Sequence, residues 1–350
     1  MKKTLSLVLA LCLVLALAAC GGAKTSSAAP AASSTAPAAS SAAPASSEAP
    51  KLDYPKKNIT ITVPYAAGGS SDMTTRSVAD YLSSKMGVNV VVQNTAGAGG
   101  AVGSAAVATA KGDGYSLLMG SIGPLTIAPY SSDTGYTYDK AFKAVSQLTD
   151  IPIGIAVNKS SNIKTMADFV DYCKANPGVM QVGNVGAGNI QHVAVSYFCN
   201  KLGLDVVHVP YEGANPAVAA LLGNNIPSIC VGVTELTSNY LSGDFIVLGI
   251  FANERLDTMP DVPTMKELGY GDDMVFGINY GIVAPISTDD AIIDYLDDQI
   301  AAAMQDETVL KTMESLFLIP SYADTAAYDA RIRSDCEKNE QVLTDLGLHR

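Results

Sequence analysis

The 350-residue chain carries 22 Lys+Arg against 34 Asp+Glu, a net charge of −12, a balance that argues against nucleic acid as a partner. With three histidines, six cysteines, no C-x-x-C and no H-E-x-x-H, it has neither a zinc-ligand pattern nor a metalloprotease signature, so no metal and no cofactor is expected.

Lys2 and Lys3 precede an apolar run from Leu5 to Ala18, too short to span a bilayer comfortably, that ends in Leu17-Ala18-Ala19-Cys20. Residues 1–20 read as a targeting segment. Their last four resemble the lipobox of bacterial lipoproteins, whose cleavage leaves Cys20 as the lipidated first residue; a plain signal peptide or a short membrane anchor is the alternative. Without Lys2 and Lys3 the mature chain has 20 basic residues against 34 acids, net −14. An anionic ligand must then be attracted by local dipoles, because the long-range field is repulsive and is screened beyond about 8 Å at physiological salt. Residues 21–52, dominated by Ala, Ser, Pro and Gly, cannot bury enough surface to offset the entropy of ordering, and read as a disordered tether.

The remainder alternates strand and helix, the pattern of an α/β architecture on parallel strands. Ile59–Val63 alternates cleanly as a strand, and a helix opening near Ser70 repeats apolar residues through Met73, Val78, Leu82 and Met86. Val88–Gln93 is the second strand, Ser104–Lys111 an Ala-rich helix and Tyr115–Gly120 the third strand. Gly97, Gly99 and Gly103 have the wrong third gap for a dinucleotide fingerprint and read as a packing turn. After Pro152 the grammar restarts with Ile153–Val157, and Thr165 with Asp168 forms a capping box for a helix ending before Pro177. Met180–Val185 is a strand, followed by a helix from about Ile190 to Lys201 closed by Gly203. After strand Val206–Val209, Asn215-Pro216 reads as an N-cap with proline at the first helical position. Ser228–Val233, Phe245–Phe251 and Val275–Val283 are further strands, and the tail from Asp289 is helical.

Three small-residue loops join a strand end to a helix start: Gly68-Gly69-Ser70-Ser71-Asp72, Gly186-Ala187-Gly188-Asn189 and Gly213-Ala214-Asn215-Pro216. In open α/β sheets ligands sit outside those strand ends, so helix N-termini from two domains are expected to face one cleft. Unpaired N–H groups around Gly68 and Gly69, with the Ser70 and Ser71 hydroxyls, would suit an anion. Asp72 is read as a helix cap and a partner for Arg76, since a carboxylate facing a bound carboxylate would be repelled.

These motifs resemble the extracytoplasmic solute receptors of tripartite tricarboxylate transporters, the Bug family, over nearly all of residues 54–345. The resemblance is carried by "YPKKNITITVPYAAGGSSDMTTR", "VVVQNTAGAGGAVGSAAVATAKGDGYSLLMGS", "VGNVGAGNIQHVAVSYF", "VPYEGANPAVAALLGN" and "DVPTMKELGY". It implies a type II periplasmic-binding-protein-like fold, with two α/β domains around a cleft: residues 53–152 plus 278–350, and residues 153–277. It further implies a monomer that closes on a small carboxylate and hands it to membrane permease subunits, with no catalytic residue. In that family the ligand is gripped by the first loop and by a YxG loop. Carried onto this chain, the site becomes Tyr65, Ala66, Ala67, Gly68, Gly69, Ser70, Ser71, Ser121, Gly186, Ala187, Gly188, Asn189, His192, Tyr211, Gly213, Ala214 and Asn215.

Departures from the family pattern are Ala66 and Ala67 in place of prolines, Tyr280 in place of a frequent Trp, and Glu212 in place of a basic or neutral residue. A Glu212 facing the cleft would favour an amine-bearing ligand or a less charged acid; one facing water would say nothing. His192 could contact ligand or only support the helix, and His208 reads as a satisfied strand residue. Cys173 and Cys199 could be bridged or free. A subunit presenting ligand to a sensor kinase would share the fold. A hydrolase would need a nucleophile with a base, and no G-x-S-x-G or paired histidine supplies one. Asp272-Asp273 and Asp289-Asp290 read as solvated acids.

Overall fold

The computed structural model describes residues 52–350; the expected leader with Cys20, and all of the tether but Leu52, lie outside the described residues. Ile59, Ile61 and Val63 point to one buried face of strand β1 (Ile59–Val63). Helix α1 (Ser70–Met86) ends on Gly87 in the left-handed conformation, and β2 (Val90–Asn94) pairs parallel to β1. A 3-10 turn at 98–100 leads into α2 (Ala101–Ala108) and β3 (Ser116–Ser121). That helix starts three residues earlier than expected and takes in Gly103, which packs against the chain just beyond β1 and β2: a Cβ there would lie 2.6 Å from the Thr95 carbonyl oxygen and 3.0 Å from Pro64 Cα. Gly103 therefore serves packing.

Next come a π-helical turn (Gly123–Ile127), short helices α3 (Ala128–Ser131) and α4 (Tyr138–Ala141), and strand β4 (Phe142–Asn158). The expected strand Ile153–Val157 is thus the second part of a 17-residue strand that passes straight through Pro152. Proline is tolerated there because β4 changes partners at that point. It pairs antiparallel with β9 (Gly277–Pro285) from Phe142 to Pro152, and with β7 (Ser228–Gly232) and β8 (Phe245–Ile250) from Ile153 onward.

Between these run α5 (Met166–Ala175), with the expected Thr165–Asp168 capping box, then β5 (Gln181–Asn184), α6 (Ile190–Leu202), β6 (Val207–Pro210), α7 (Ala214–Leu222) and α8 (Val233–Leu241). The chain closes with α9 (Asp290–Ala303), α10 (Glu307–Ser315), β10 (Pro320–Ala323) and α11 (Thr325–Asp345). The strand order is β2-β1-β3-β9-β4-β7-β5-β6, with β10 and β8 each pairing β4 off that path.

Phe169, Phe198 and Phe251 are fully buried on the β5–β8 side, and Phe142 and Tyr328 on the β3–β9 side. Among the described residues no helix is long and apolar enough to cross a membrane, and no group of three or more His, Cys, Asp and Glu could hold a metal ion.

Candidate functional site

The first loop is built by its own acids. Gly68 adopts φ +81°, and its N–H donates to Asp72 Oδ2 at 2.9 Å. Arg76 Nε, at 3.0 Å from both Asp72 oxygens, and Asn94 Nδ2 complete the cage around that carboxylate. Burial works to raise the Asp72 pKa, but Arg76, the Gly68 amide and Asn94 outweigh it and hold the carboxyl below its ordinary value. The N-cap position is Gly69, which has no side chain to cap α1. The Ser70 N–H is instead taken at 2.7 Å by Glu235 Oε1, reaching across from α8, and the Ala66 N–H points at the Glu212 carbonyl at 3.4 Å. The expectation of outward, unpaired amides around Gly68 and Gly69 is therefore corrected: two protein carboxylates already occupy amides of this helix opening. The first-turn amides of Ser71 and Asp72 lie beyond reach of any intrahelical acceptor.

Behind the loop lies a narrow chamber of about 10 Å³, room for about one water-sized group. Six expected residues line it (Tyr65, Ala66, Gly69, Ser70, Ser71 and Ala214), joined by Gln191, Gly232, Glu235 and Tyr280, which were not expected. Ser70 Oγ and Tyr280 Oη share a hydrogen at 3.0 Å, and Tyr65 Oη donates to Ser121 Oγ and Asn189 Oδ1 at 3.2 and 3.1 Å. Ser121 and Asn189 thus fix Tyr65. Glu235 was missed because its strand-to-helix junction, Cys230-Val231-Gly232-Val233, has a single glycine among apolar residues, unlike the three small-residue loops read from the sequence. The acid at the third helical position was the available signal.

Gly186, Ala187, Gly188, His192 and Tyr211 line a second, more open pocket of about 450 Å³ together with Glu212. Glu212 is exposed on this outer rim. His192 Nδ1 accepts the Gly188 N–H at 3.2 Å, so the ring holds its own loop, and it packs edge-on against His208 with centroids 4.3 Å apart. Burial, and then the neighbouring His192, push the His208 pKa down to about 4. His208 is less satisfied than expected: Nε2 meets Ser196 Oγ at 3.1 Å, but the buried Nδ1 has no partner.

A pKa held below the unfolded value of 6.5 means that the unfolded chain binds the extra proton first, so stability present above pH 6.5 is lost as pH falls toward 4. His208→Gln is expected to remove about 1–2 kcal/mol of the acid destabilisation between pH 7 and 4.5, after discount for the part of the ring that water reaches. Urea unfolding of both proteins at the two pH values checks this; parallel losses would exclude His208 as the source.

The remaining expected residues position backbone. Helix α7 is capped at Gly213 and begins at Ala214, so Asn215 is its second residue and Pro216 its third, not N-cap and first as expected. The earlier start still leaves Pro216 in the first turn, where a missing N–H is harmless, and frees the Asn215 side chain to donate to the exposed Ala67 carbonyl at 3.4 Å. Asn189 caps α6 without a side-chain cap bond; its amide donates to the Gly99 and Val185 carbonyls, both at 3.1 Å. Cys173, Cys199, Cys230 and Cys336 are free thiols. Of the paired acids, Asp273 meets Lys201 and Asp272 meets Lys266, Asp289 caps α9, and Asp290 meets Lys143.

Strand-to-helix openings facing a common cleft, on a mixed α/β sheet crossed by the long strand β4, define a periplasmic-binding-protein-like solute receptor. The family model described as "Tripartite tricarboxylate transporter family receptor" matches residues 74–348. The chain is 33% identical over 297 residues to the "UPF0065 protein in the TAR-I ttuE-ttuC' intergenic region" of Agrobacterium vitis, covering 84% of this chain and 86% of that protein. It is 32% identical to "Protein BugT" of Bordetella pertussis, with 84% and 90% covered. The solved periplasmic binding protein BugD superposes with a TM-score of 0.80 at 29% identity, over 85% of this chain and 99% of that one. The chain belongs to the tripartite tricarboxylate transporter receptor family, a family of extracytoplasmic solute-binding receptors and not of enzymes.

Proposed function

We propose that the protein captures a small carboxylate outside the cytoplasm and delivers it to the permease subunits of a tripartite tricarboxylate-type transporter, working as a monomer tethered to the membrane through lipid on Cys20. Residues 53–152 plus 278–350 act as one lobe and residues 153–277 as the other, hinged near Ile151–Val157 and Val275–Val283. The observation that carries this reading is the convergence of the α1, α6, α7 and α8 openings on one cleft, with first-turn amides of α1 and the Ser71 hydroxyl beside a chamber free of Lys, Arg and His. A carboxylate is the simplest group that helix openings without cationic side chains can hold.

The test is thermal-shift screening of the full chain against mono-, di- and tricarboxylates and amino acids. A ligand present at about 100 times its Kd adds about 2.7 kcal/mol to the stability of the folded state. In a domain of this size that raises Tm by roughly 5 °C. Absence of a shift with every carboxylate would refute the reading, and turnover of a chromogenic ester would favour a hydrolase.

A further inference from the structure

The chamber holds two acceptor atoms that nothing in the protein satisfies. Glu235 is 8% exposed and Gln191 3% exposed, both line the chamber, and Glu235 Oε2 and Gln191 Oε1 are buried without a hydrogen-bond partner. Neither atom is a bystander of loose packing. Glu235 Oε1 is fixed by the Ser70 N–H at 2.7 Å, and Oε2 lies so close over Gly232 that a Cβ there would approach it to 2.6 Å. Unsatisfied buried acceptors are costly, by about 1–3 kcal/mol for a neutral group and more for a charged one.

Geometry gives this carboxylate reasons to carry its charge. It occupies the third position of α8, whose N-cap is Gly232, and it accepts from the first residue of α1, so two helix openings face it. Burial raises its pKa above the ordinary carboxylate value even though the Ser70 hydroxyl and amide oppose that rise, so a cation brought into the chamber is what would hold the charge. No Lys, Arg or His lines the chamber, so any countercharge must come from outside the chain. A second carboxylate placed there would face the first with no cation between them. The space holds about one water-sized group, which is also the size of an ammonium head. Ser70 Oγ and Tyr280 Oη, 3.0 Å apart on the same wall, supply a further acceptor.

We infer that Glu235 and Gln191 form an ammonium subsite, so that the carboxylate ligand of this receptor also carries a primary amine: the ligand is an amino acid and Glu235 selects for it. The inference rests on the carboxylate-receptor reading above and adds the charge of the second ligand group. The ligand carboxylate is left to the first-turn amides of α1 and the loops of the outer pocket. A site built to pair a buried donor rejects the analogue that lacks it, because its own acceptors stay unpaired.

The experiment is titration calorimetry of the full chain at pH 7 with four matched pairs: L-aspartate and succinate, L-glutamate and glutarate, L-alanine and propionate, L-phenylalanine and 3-phenylpropionate. In at least one pair the amine is expected to bind at least about 30-fold tighter than its des-amino partner. Glu235→Gln, which keeps an acceptor for the Ser70 N–H, is expected to shrink that preference to within about threefold, mainly by weakening the amine. Circular dichroism and the melting temperature of the unliganded variant establish that it is folded. Acids that bind as tightly as their amines overturn the subsite while leaving the carboxylate reading intact, as does a preference unchanged in Glu235→Gln. A gain in affinity for amine and acid alike would mean that Glu235 only occupies the ligand's place. Silence from all eight compounds overturns the carboxylate reading as well.

Discussion

A Gly281→Val variant is expected to lose about 4 kcal/mol or more of stability, enough to shift most of a marginal domain out of its native state. Gly281 lies in the middle of β9, opposite Gly120 of β3 on one side and Gln147 of β4 on the other. A Cβ at this position would sit 2.4 Å from the Ser146 carbonyl oxygen and 2.5 Å from the ring of Tyr328, which is fully buried. The Ser146 carbonyl belongs to β4 and cannot move without disturbing that strand, and Tyr328 projects from α11 onto the sheet, where it is fully buried. Gly120→Ala provides the graded control, because the atoms met there are the ends of Leu125, Tyr328 and Val283 at 2.9–3.1 Å, which can give a little. Urea unfolding should rank parent, Gly120→Ala and Gly281→Val in descending order. A Gly281→Val protein within 1 kcal/mol of the parent would mean that Tyr328 does not pack over this strand as described.

Asn189→Ala is the second large effect. Its side chain is 2% exposed and makes three bonds, accepting from Tyr65 and donating to the carbonyls of Gly99 and Val185. Truncation leaves the buried Val185 carbonyl and the half-buried Gly99 carbonyl without those donors, while the Tyr65 hydroxyl keeps Ser121. The expected loss is about 3 kcal/mol. That corresponds to a fall in Tm of roughly 6 °C for a chain of this length. Because Tyr65 and Gly99 come from the β1–β3 side and Asn189 from the β5–β6 side, the same substitution should let the two sides separate. Small-angle scattering of the unliganded variant should show a larger radius of gyration than the parent. An unchanged Tm and radius would show that Asn189 is not a clasp.

Much of this site was legible because turn chemistry is local. The Thr165–Asp168 box, the Gly203 cap and the three glycine loops announce themselves in a few residues, and the family motifs fix their order. What was not legible is non-local. Glu235 meets Ser70 across 165 positions, and no pattern within either segment says that an acid from one helix will occupy the amide of another. The start of α7 was misplaced for a related reason: Asn215 is a good cap by type, yet the carbonyl of Ala67 claims its side chain. The first part of β4 was hidden because Pro152 looks like a strand end when the change of partner is not visible.

Where β4 leaves one set of neighbours for the other, Pro152 stands opposite Gly277. One member of that rung has no amide hydrogen and the other has no side chain, and the next recorded bond, Ile153 N–H to the Phe276 carbonyl, is stretched to 3.4 Å. The β4–β9 ladder therefore ends on its weakest rung, at the place where β4 is handed on to β7 and β8, so a bend there would disturb fewer cross-strand bonds than a bend inside either ladder.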